Sequence, residues 1–164
     1  IYGISAFGLS QNIGISRTDA KTIIDNYFKE FPRVKEYMDW SIEQAREKEY
    51  VETVMGRRRY LKEINSKNAV MRAVAERNAI NAPIQGSAAD IVKKAMIDVQ
   101  AEIEKRGMQS KMLLQVHDEL VFDMHKSESE ELRCLVKEKM EQAITLKAPL
   151  AVDIGEGINW LEAH

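Results

Sequence analysis

Apolar residues recur at helical spacing in the first third of the chain, between capping and stop signals. Ser16 and Asp19 make a capping box, so a helix is expected from there to the residue before Pro32. Pro32 suits the first turn of a second helix, because that position needs no backbone N–H donor. The buried stripe of this second helix is predicted to comprise Val34, Tyr37, Met38, Ile42 and Ala45.

A longer helical pattern covers residues 66–106. Pro83 is expected to interrupt it, because proline has no N–H group and its ring crowds the preceding turn. Ser87 with Asp90 can cap the restarted helix. The basic pair and glycine at residues 105–107 then predict its end.

Strand patterns occur in three places. Residues 50–61, YVETVMGRRRYL, predict two short strands around a Met-Gly turn, and residues 113–122 hold two apolar runs around His-Asp-Glu. Ser127 with Glu130 is expected to open a further helix, and residues 150–155, LAVDIG, to form a last strand. Helices that lead to an antiparallel hairpin, another helix and a further strand predict an α+β fold with helices packed on an antiparallel sheet.

The composition narrows the class of protein. The chain has 164 residues, 45% of them hydrophobic, and can bury one sizeable core. It holds no run of about 18 apolar residues and no signal-peptide pattern, so a soluble protein is expected. The single cysteine, Cys134, favours a reducing compartment, and its helical pattern predicts a small core residue. The formal net charge of -2 gives no global basic field, so any nucleic-acid surface must be local.

Residues 117–119, His-Asp-Glu, are an unusual turn between two apolar strands, because neither Gly nor Asn is present. One interpretation is a solvated acidic turn. The flanking runs are apolar on both faces, however, which predicts well-covered strands that present the turn to a cleft. Fixed carboxylates suit Mg²⁺, which binds one or two protein carboxylates plus substrate phosphates. Zinc is not expected, since His125 and His164 show no ligand spacing with His117.

Arg77, Asn81 and Gln85 are four residues apart, so on a helix they share one face. A solvated helix face is one interpretation. The apolar residues between them, the bend expected at Pro83 and the small Gly86 favour instead a face that another backbone approaches. Amide and guanidinium donors in such a place can contact minor-groove acceptors and sugar or phosphate oxygens.

Several of these stretches together resemble the family A DNA polymerases, the family of bacterial DNA polymerase I. LLQVHDELVFD is similar to motif C of that family, and AERNAINAPIQGSAADIVKKAM to its long palm helix. IYGISAFGLS resembles the end of the fingers helix that closes on the incoming nucleotide, while YVETVMGRRRYL and GEGINW also fit. The resemblance covers nearly the whole chain, in the family's order and spacing. It implies a fingers portion over residues 1–62 and a palm portion with motif C over residues 63–164.

The resemblance implies DNA-dependent DNA synthesis, that is, nucleotidyl transfer to a primer 3′ end by a two-metal mechanism. Asp118 and Glu119 would bind the catalytic Mg²⁺ ions, and His117 would lie near the primer 3′ end. Tyr2 would stack at the insertion site, next to Gly3.

The resemblance also implies primer-template DNA and deoxynucleoside triphosphates as partners, in the bacterial cytoplasm at the nucleoid and not at a membrane. Arg77, Asn81 and Gln85 would hold the primer-template near its terminus. Arg57 and Arg58 are assigned to the nucleic-acid backbone, although a basic hairpin is often only a solvated edge.

Family A enzymes also carry a second metal-binding aspartate upstream, and a lysine and an arginine before the Tyr-Gly pair. None can be assigned here, because the chain starts after their positions in the family and Asp19, Asp25 and Asp39 lie in helical patterns. The chain also begins without methionine. We therefore expect a fragment, inactive when isolated, whose site is completed by the upstream part of the polymerase chain. Two alternatives stay open: a non-catalytic primer-template DNA-binding fragment, and a metal-dependent phosphohydrolase using His117 and Asp118.

Overall fold

The computed structural model describes residues 3–163. In chain order the helices and strands are α1 (Ala6–Ile13), α2 (Arg17–Glu30), α3 (Pro32–Lys48), β1 (Tyr50–Glu52), β2 (Arg58–Tyr60), α4 (Ala69–Arg106), β3 (Lys111–Val116), β4 (Glu119–Asp123), α5 (Ser129–Glu141) and α6 (Trp160–Ala163). The strands form two antiparallel pairs, β1 with β2 and β3 with β4. The predicted α+β class is confirmed. Among the described residues, no helix combines the length and the apolar character that a membrane crossing requires.

The chain divides into two compact units, Ile1–Ser87 and Ala88–His164, here called the N-terminal and C-terminal units. Helix α4 contributes its first half to the N-terminal unit and its second half to the C-terminal unit. The division into fingers and palm at residues 62 and 63 is a functional assignment, and it stays a prediction.

The helices of the first third begin where the sequence predicts. Ser16 Oγ accepts the Asp19 N–H at 3.1 Å and donates to the Asp19 carboxylate at 2.7 Å, which caps α2. Pro32 is the first residue of α3. Ala45 of the predicted stripe is fully buried, and the other stripe positions are half-buried.

The core of the N-terminal unit joins α3, the β1–β2 hairpin and the first half of α4. Its buried members are Ala45, Val51, Leu61, Ile64, Ala75 and Ala79. Half of them are alanines, and such small side chains let the hairpin approach the helices closely. Burial of this apolar surface holds the hairpin against α4.

The predicted break at Pro83 is wrong, because α4 continues through it. A proline removes only one backbone N–H from a helix, and packing against the cores holds this helix on both sides. The predicted cap at Ser87 is also wrong. Its hydroxyl donates to the Pro83 carbonyl at 2.5 Å and accepts the Val54 N–H at 2.9 Å. Ser87 therefore links the β1–β2 hairpin to α4 through hydrogen bonds.

The core of the C-terminal unit lies between the second half of α4, α5 and the β3–β4 hairpin. Its members are Val99, Ile103, Leu132, Leu135 and Val136, with Met108, Met112, Phe122, Met124 and Met140 packed against them. Helix α4 ends at Arg106 as predicted, and Gly107, which follows it, has a φ of 65°. The N–H groups of Gly107 and Met108 donate to the carbonyls of Glu104 and Ile103, both at 3.1 Å.

The start of α5 differs from the predicted capping box. A 3₁₀ turn, Lys126–Glu128, precedes the helix, and Ser127 Oγ lies 2.8 Å from His125 Nδ1 instead of capping. The Glu128 carboxylate accepts hydrogen bonds from the backbone N–H groups of Gln109 and Ser110 and from the Ser110 hydroxyl. The Gln109 bond is the largest of several causes that lower the pKa of Glu128. A carboxylate bridge thus replaces the expected cap.

Two further expectations for the C-terminal unit are wrong. Residues 151–157 form no regular secondary structure, because neither described strand pair includes them. Side chains hold this segment instead, with Glu141 accepting the Val152 N–H and Arg133 paired with Glu156. Cys134 is exposed rather than part of the core, since the buried face of α5 carries residues 132, 135 and 136.

Candidate functional site

The β3–β4 hairpin closes with a loop of two residues, His117 and Asp118. Its last cross-strand pair is Val116 with Glu119, so Glu119 is the first residue of β4 and not part of the turn. His117 has a φ of 54°, and Gln115 Nε2 donates to its carbonyl at 2.8 Å. Tight hairpin turns need a positive φ at this position, and histidine adopts it more readily than most side chains. This is how the turn closes without Gly or Asn.

The hairpin presents its polar groups on an open surface. His117 and Asp118 are exposed, while Glu119 is half-buried. The expectation of well-covered strands is wrong for the described residues, because Leu113 and Leu114 are 57% and 45% exposed. The strand register shifts between Met112 and Leu114, an irregularity that leaves Leu113 outside the cross-strand register of β3 and β4.

Two adjacent carboxylates fit part of a magnesium site. Mg²⁺ keeps several waters and uses one or two protein carboxylates together with substrate phosphates, which Asp118 and Glu119 can supply. Within residues 3–163, no group of three or more His, Cys, Asp or Glu side chains is arranged to hold a metal ion. The hairpin therefore offers oxygen ligands of the right kind and only part of a coordination shell.

The second set of predicted residues lies along the first half of α4. Arg77 and Gln85 are exposed, and Asn81 is half-buried. The Oδ1 atom of Asn81 is buried and has no hydrogen-bond partner among residues 3–163. A Cβ atom placed on Gly3 would lie 3.5 Å from Arg77 Cγ, so residue 3 lies against this helix face with a φ of 79°. Tyr2 lies outside the described residues.

A groove of about 150 Å³ separates the β1–β2 hairpin from α4. Gly86 makes this close packing possible, because a Cβ atom there would lie 2.6 Å from Thr53 Cγ2. The lining includes Glu52, Arg57, Arg58, Arg59, Gln85 and Gly86. Three arginines against one glutamate make the groove locally positive, although the whole chain carries a net charge of -2. The structure thus brings the predicted residues Arg57, Arg58 and Gln85 together.

Arg58 is held by its own hairpin. Its Nε donates to Glu52 at 2.8 Å, and its guanidinium lies 4.6 Å from the centre of the Tyr50 ring. The bond to Glu52, followed by the interaction with Tyr50, raises the pKa of Arg58 above its ordinary value. The Tyr60 ring packs against Tyr50, with 5.8 Å between centroids. These contacts fix the guanidinium on one face of the hairpin.

The sequence prediction named Arg57 and Arg58 but passed over Arg59. Arg59 pairs with Val51 across the hairpin, whereas Arg58 pairs with Glu52. Because side chains alternate along a strand, Arg59 leaves the strand on the face opposite Arg58, although both long side chains reach the groove. The twofold periodicity of strand β2, read together with the apolar Val51, is the signal that would have separated these arginines.

Comparisons with known proteins place the chain among DNA polymerases. A family model described as "DNA polymerase family A" matches residues 1–162. The chain is 56% identical to DNA polymerase I of Streptococcus pneumoniae and 52% identical to that of Bacillus subtilis, in each case over 99% of its length. It spans 19% and 18% of those relatives, about a fifth of their length.

A solved structure is also similar. It is the polymerase domain of Pol1 from M. smegmatis in complex with DNA primer-template and dNTP. The TM-score is 0.96 at 49% sequence identity, and the match covers 99% of this chain and 29% of that one.

Proposed function

Because the chain belongs to the family A DNA polymerases, we propose that it contributes to template-directed DNA synthesis, the transfer of a nucleotide to a primer 3′ end. The observation that carries this proposal is the two-residue turn of the β3–β4 hairpin, which presents Asp118 beside Glu119. A rigid strand pair that ends in adjacent carboxylates suits phosphoryl chemistry, because such a site must hold divalent cations at fixed positions.

Asp118 and Glu119 are proposed to hold Mg²⁺. When bound, the metal ions of a two-metal site lower the barrier by activating the primer hydroxyl and stabilising the leaving pyrophosphate. His117, in the same turn, is proposed to lie near the primer 3′ end, where its imidazole positions the terminus. Because His117 and Asp118 share one tight turn, the position of either side chain constrains the other.

The exposed face of α4 is proposed to hold the primer-template. Arg77 suits a phosphate or sugar oxygen, and the amides of Asn81 and Gln85 suit minor-groove acceptors. Arg57 and Arg58 are proposed to face the nucleic-acid backbone at the groove. Gly3 and Tyr2 are proposed to lie at the insertion site.

The remaining ligands are proposed to come from an upstream part of the polymerase chain. These are the second metal-binding aspartate and the cationic groups that hold the nucleotide phosphates. The proposed setting is the bacterial cytoplasm at the nucleoid. A non-catalytic primer-template DNA-binding role is the alternative for the chain by itself, because Asp118 and Glu119 belong to no larger ligand cluster within residues 3–163.

The test is Asp118→Asn in the longer polymerase that contains this chain. We expect the affinity for primed DNA to change less than twofold and the rate of nucleotide addition to fall by on the order of a hundredfold or more, because a metal ligand acts mainly in the transition state. Asp123→Asn is the matched control, since Asp123 is an exposed carboxylate at the far end of the same hairpin. Near-normal primer extension by Asp118→Asn contradicts the proposal.

A further inference from the structure

The end of the β3–β4 hairpin opposite the turn is held by connected hydrogen bonds. Ser110, which precedes β3 and is 1% exposed, accepts the His125 N–H on its hydroxyl at 2.9 Å. The same hydroxyl donates to the Glu128 carboxylate at 2.6 Å. That carboxylate also accepts the N–H groups of Gln109 and Ser110, at 2.8 and 2.9 Å. Ser110 and Glu128 therefore connect the chain that enters β3 to the chain that leaves β4.

The two ends of the hairpin hold different strand registers. Near the turn, Leu114 pairs with Val121, in the register that the two-residue loop sets. If this register continued along the strands, Lys111 would lie opposite Met124. Lys111 pairs instead with Asp123. The base of the hairpin is thus displaced by one residue from the register that the turn dictates.

Leu113 absorbs this difference, since it lies outside the cross-strand register and is 57% exposed. Strands that are exposed in this way specify their register weakly through burial. Met112 and Phe122 are partners in the displaced register and pack against the C-terminal core. A slip of one residue moves a strand by about 3.3 Å. Misplacement of a reacting group by about 1 Å can cost on the order of a hundredfold in rate.

We propose that Ser110 and Glu128 are positioning residues for the turn that carries Asp118. Their hydrogen bonds hold the base of the hairpin in the displaced register, and this register determines how far the turn projects from the C-terminal core. The effect is transmitted along the six residues of β3. This inference rests on the proposed function, because Asp118 is assigned there as a ligand of Mg²⁺.

The experiment uses the longer polymerase with Ser110→Ala and Glu128→Gln. Ser127→Ala is the matched control, because Ser127 is an exposed serine of the same segment whose hydroxyl lies beside the His125 ring. The rate of nucleotide addition is measured over a series of Mg²⁺ concentrations, below the lowest thermal midpoint of the variants. The dissociation constant for primed DNA and the thermal midpoint are measured alongside.

A disulfide reports the register without any metal. Lys111 and Asp123 are exposed partners, and the Cβ atoms of such a cross-strand pair lie about 4.5–5.5 Å apart. Lys111→Cys with Asp123→Cys, in a Cys134→Ser background, should therefore form a disulfide when Ser110 is present. A slip of one residue turns the two side chains to opposite faces, so the disulfide should form much more slowly with Ser110→Ala.

We expect Ser110→Ala to lower the rate of nucleotide addition by about ten- to a hundredfold. The Mg²⁺ dependence should shift to higher concentration, because a displaced carboxylate binds the metal less well, while the affinity for primed DNA should change less than about twofold. Glu128→Gln should act in the same direction, because an amide replaces one acceptor oxygen with a donor that faces an N–H group. Ser127→Ala should resemble the parent in every measurement.

Three outcomes overturn the inference. Ser110→Ala that forms the disulfide and extends primers like the parent shows that the base does not set the register. A lower thermal midpoint with an unchanged disulfide and an unchanged Mg²⁺ dependence assigns Ser110 to stability alone. An equal loss in Ser127→Ala reduces the effect to a general disturbance of this segment.

The proposed function is judged separately, by Asp118→Asn. Loss of activity in that variant leaves the proposed function standing whatever Ser110→Ala shows. Full activity in that variant removes the proposed function and the positioning role with it, even where the disulfide confirms the effect of Ser110 on the register.

Discussion

At the scale of single residues, the conformation of His117 connects the fold to the proposed chemistry. A φ of 54° is unfavourable for a side chain with a Cβ atom, yet the two-residue loop requires a positive value there. Glycine would satisfy the backbone but would remove the imidazole. The strain at His117 therefore indicates a position where the side chain has a use, which is the role proposed near the primer end.

His117→Gly separates these two requirements. We expect the free energy of unfolding to stay the same or rise by about 0.5–1 kcal/mol, because glycine adopts this conformation without strain. The rate of nucleotide addition should nevertheless fall. His117→Ala should lose activity because it lacks the imidazole, and it should also lose some stability because alanine adopts a positive φ less readily than histidine.

In the longer polymerase, urea unfolding measures the free energy of unfolding and a single-nucleotide addition assay measures the rate of nucleotide addition. An active His117→Gly enzyme would show that the imidazole has no part in the reaction. The backbone conformation would then be the reason for this turn, with any residue tolerated that can adopt it.

At the scale of elements, the packing of the β1–β2 hairpin on α4 decides where the arginines lie. Thr53 Cγ2 occupies the space that a side chain on Gly86 would need. The Thr53 hydroxyl accepts the N–H groups of Met55 and Arg57, at 3.3 and 3.1 Å, and so also shapes the turn. Thr53 therefore determines both the conformation of the β1–β2 turn and the distance between the hairpin and α4.

Gly86→Ala tests this packing, because its effect on the free energy of unfolding should change sign with the residue at position 53. In the parent background it should lower the free energy of unfolding by about 1–3 kcal/mol, because the new methyl group would overlap the threonine methyl. In a Thr53→Ser background the methyl is absent while the hydroxyl remains. Gly86→Ala should then be neutral or stabilising by about 0.5–1 kcal/mol, the gain of alanine over glycine in a helix.

The double-mutant cycle is followed by denaturant unfolding. Equal destabilisation in both backgrounds would show that the methyl of Thr53 is not what excludes a side chain at position 86.

At the scale of the whole molecule, several large apolar side chains of the described residues are exposed. Ile158, Leu161, Val70 and Ile97 are between 69% and 91% exposed. The chain spans about a fifth of the length of its DNA polymerase I relatives. Apolar groups exposed on this scale commonly mark contacts with other protein surface.

The corresponding prediction is that the 164-residue chain by itself does not extend primers. Within residues 3–163, Asp118 and Glu119 belong to no group of three or more His, Cys, Asp or Glu side chains that could hold a metal ion. The loss of cooperating catalytic groups is grossly non-additive. The purified chain is given primed template, Mg²⁺ and nucleotides, then retested with a separately expressed upstream segment of the same polymerase. We expect background in the first assay and recovery in the second. Robust extension by the chain alone would mean that its own carboxylates complete the site.

Interactions close in sequence were determined by the sequence alone. The cap of α2 at Ser16, the proline start of α3 and the glycine end of α4 all depend on residues within one helical turn. The helix face shared by Arg77, Asn81 and Gln85 and the turn between β3 and β4 follow from the same local spacing, while the roles of these residues stay predictions.

The tertiary structure decided what depends on residues far apart in the chain. Ser87 accepts a hydrogen bond from Val54, 33 residues away in the chain, and links the hairpin to the helix instead of capping it. Helix α4 continues through Pro83 because both of its halves are packed against other elements. The face that Arg59 occupies likewise depends on cross-strand register and on which side of the hairpin is buried. Local patterns specify conformation, whereas the surface that a residue meets is decided only when distant segments pack together.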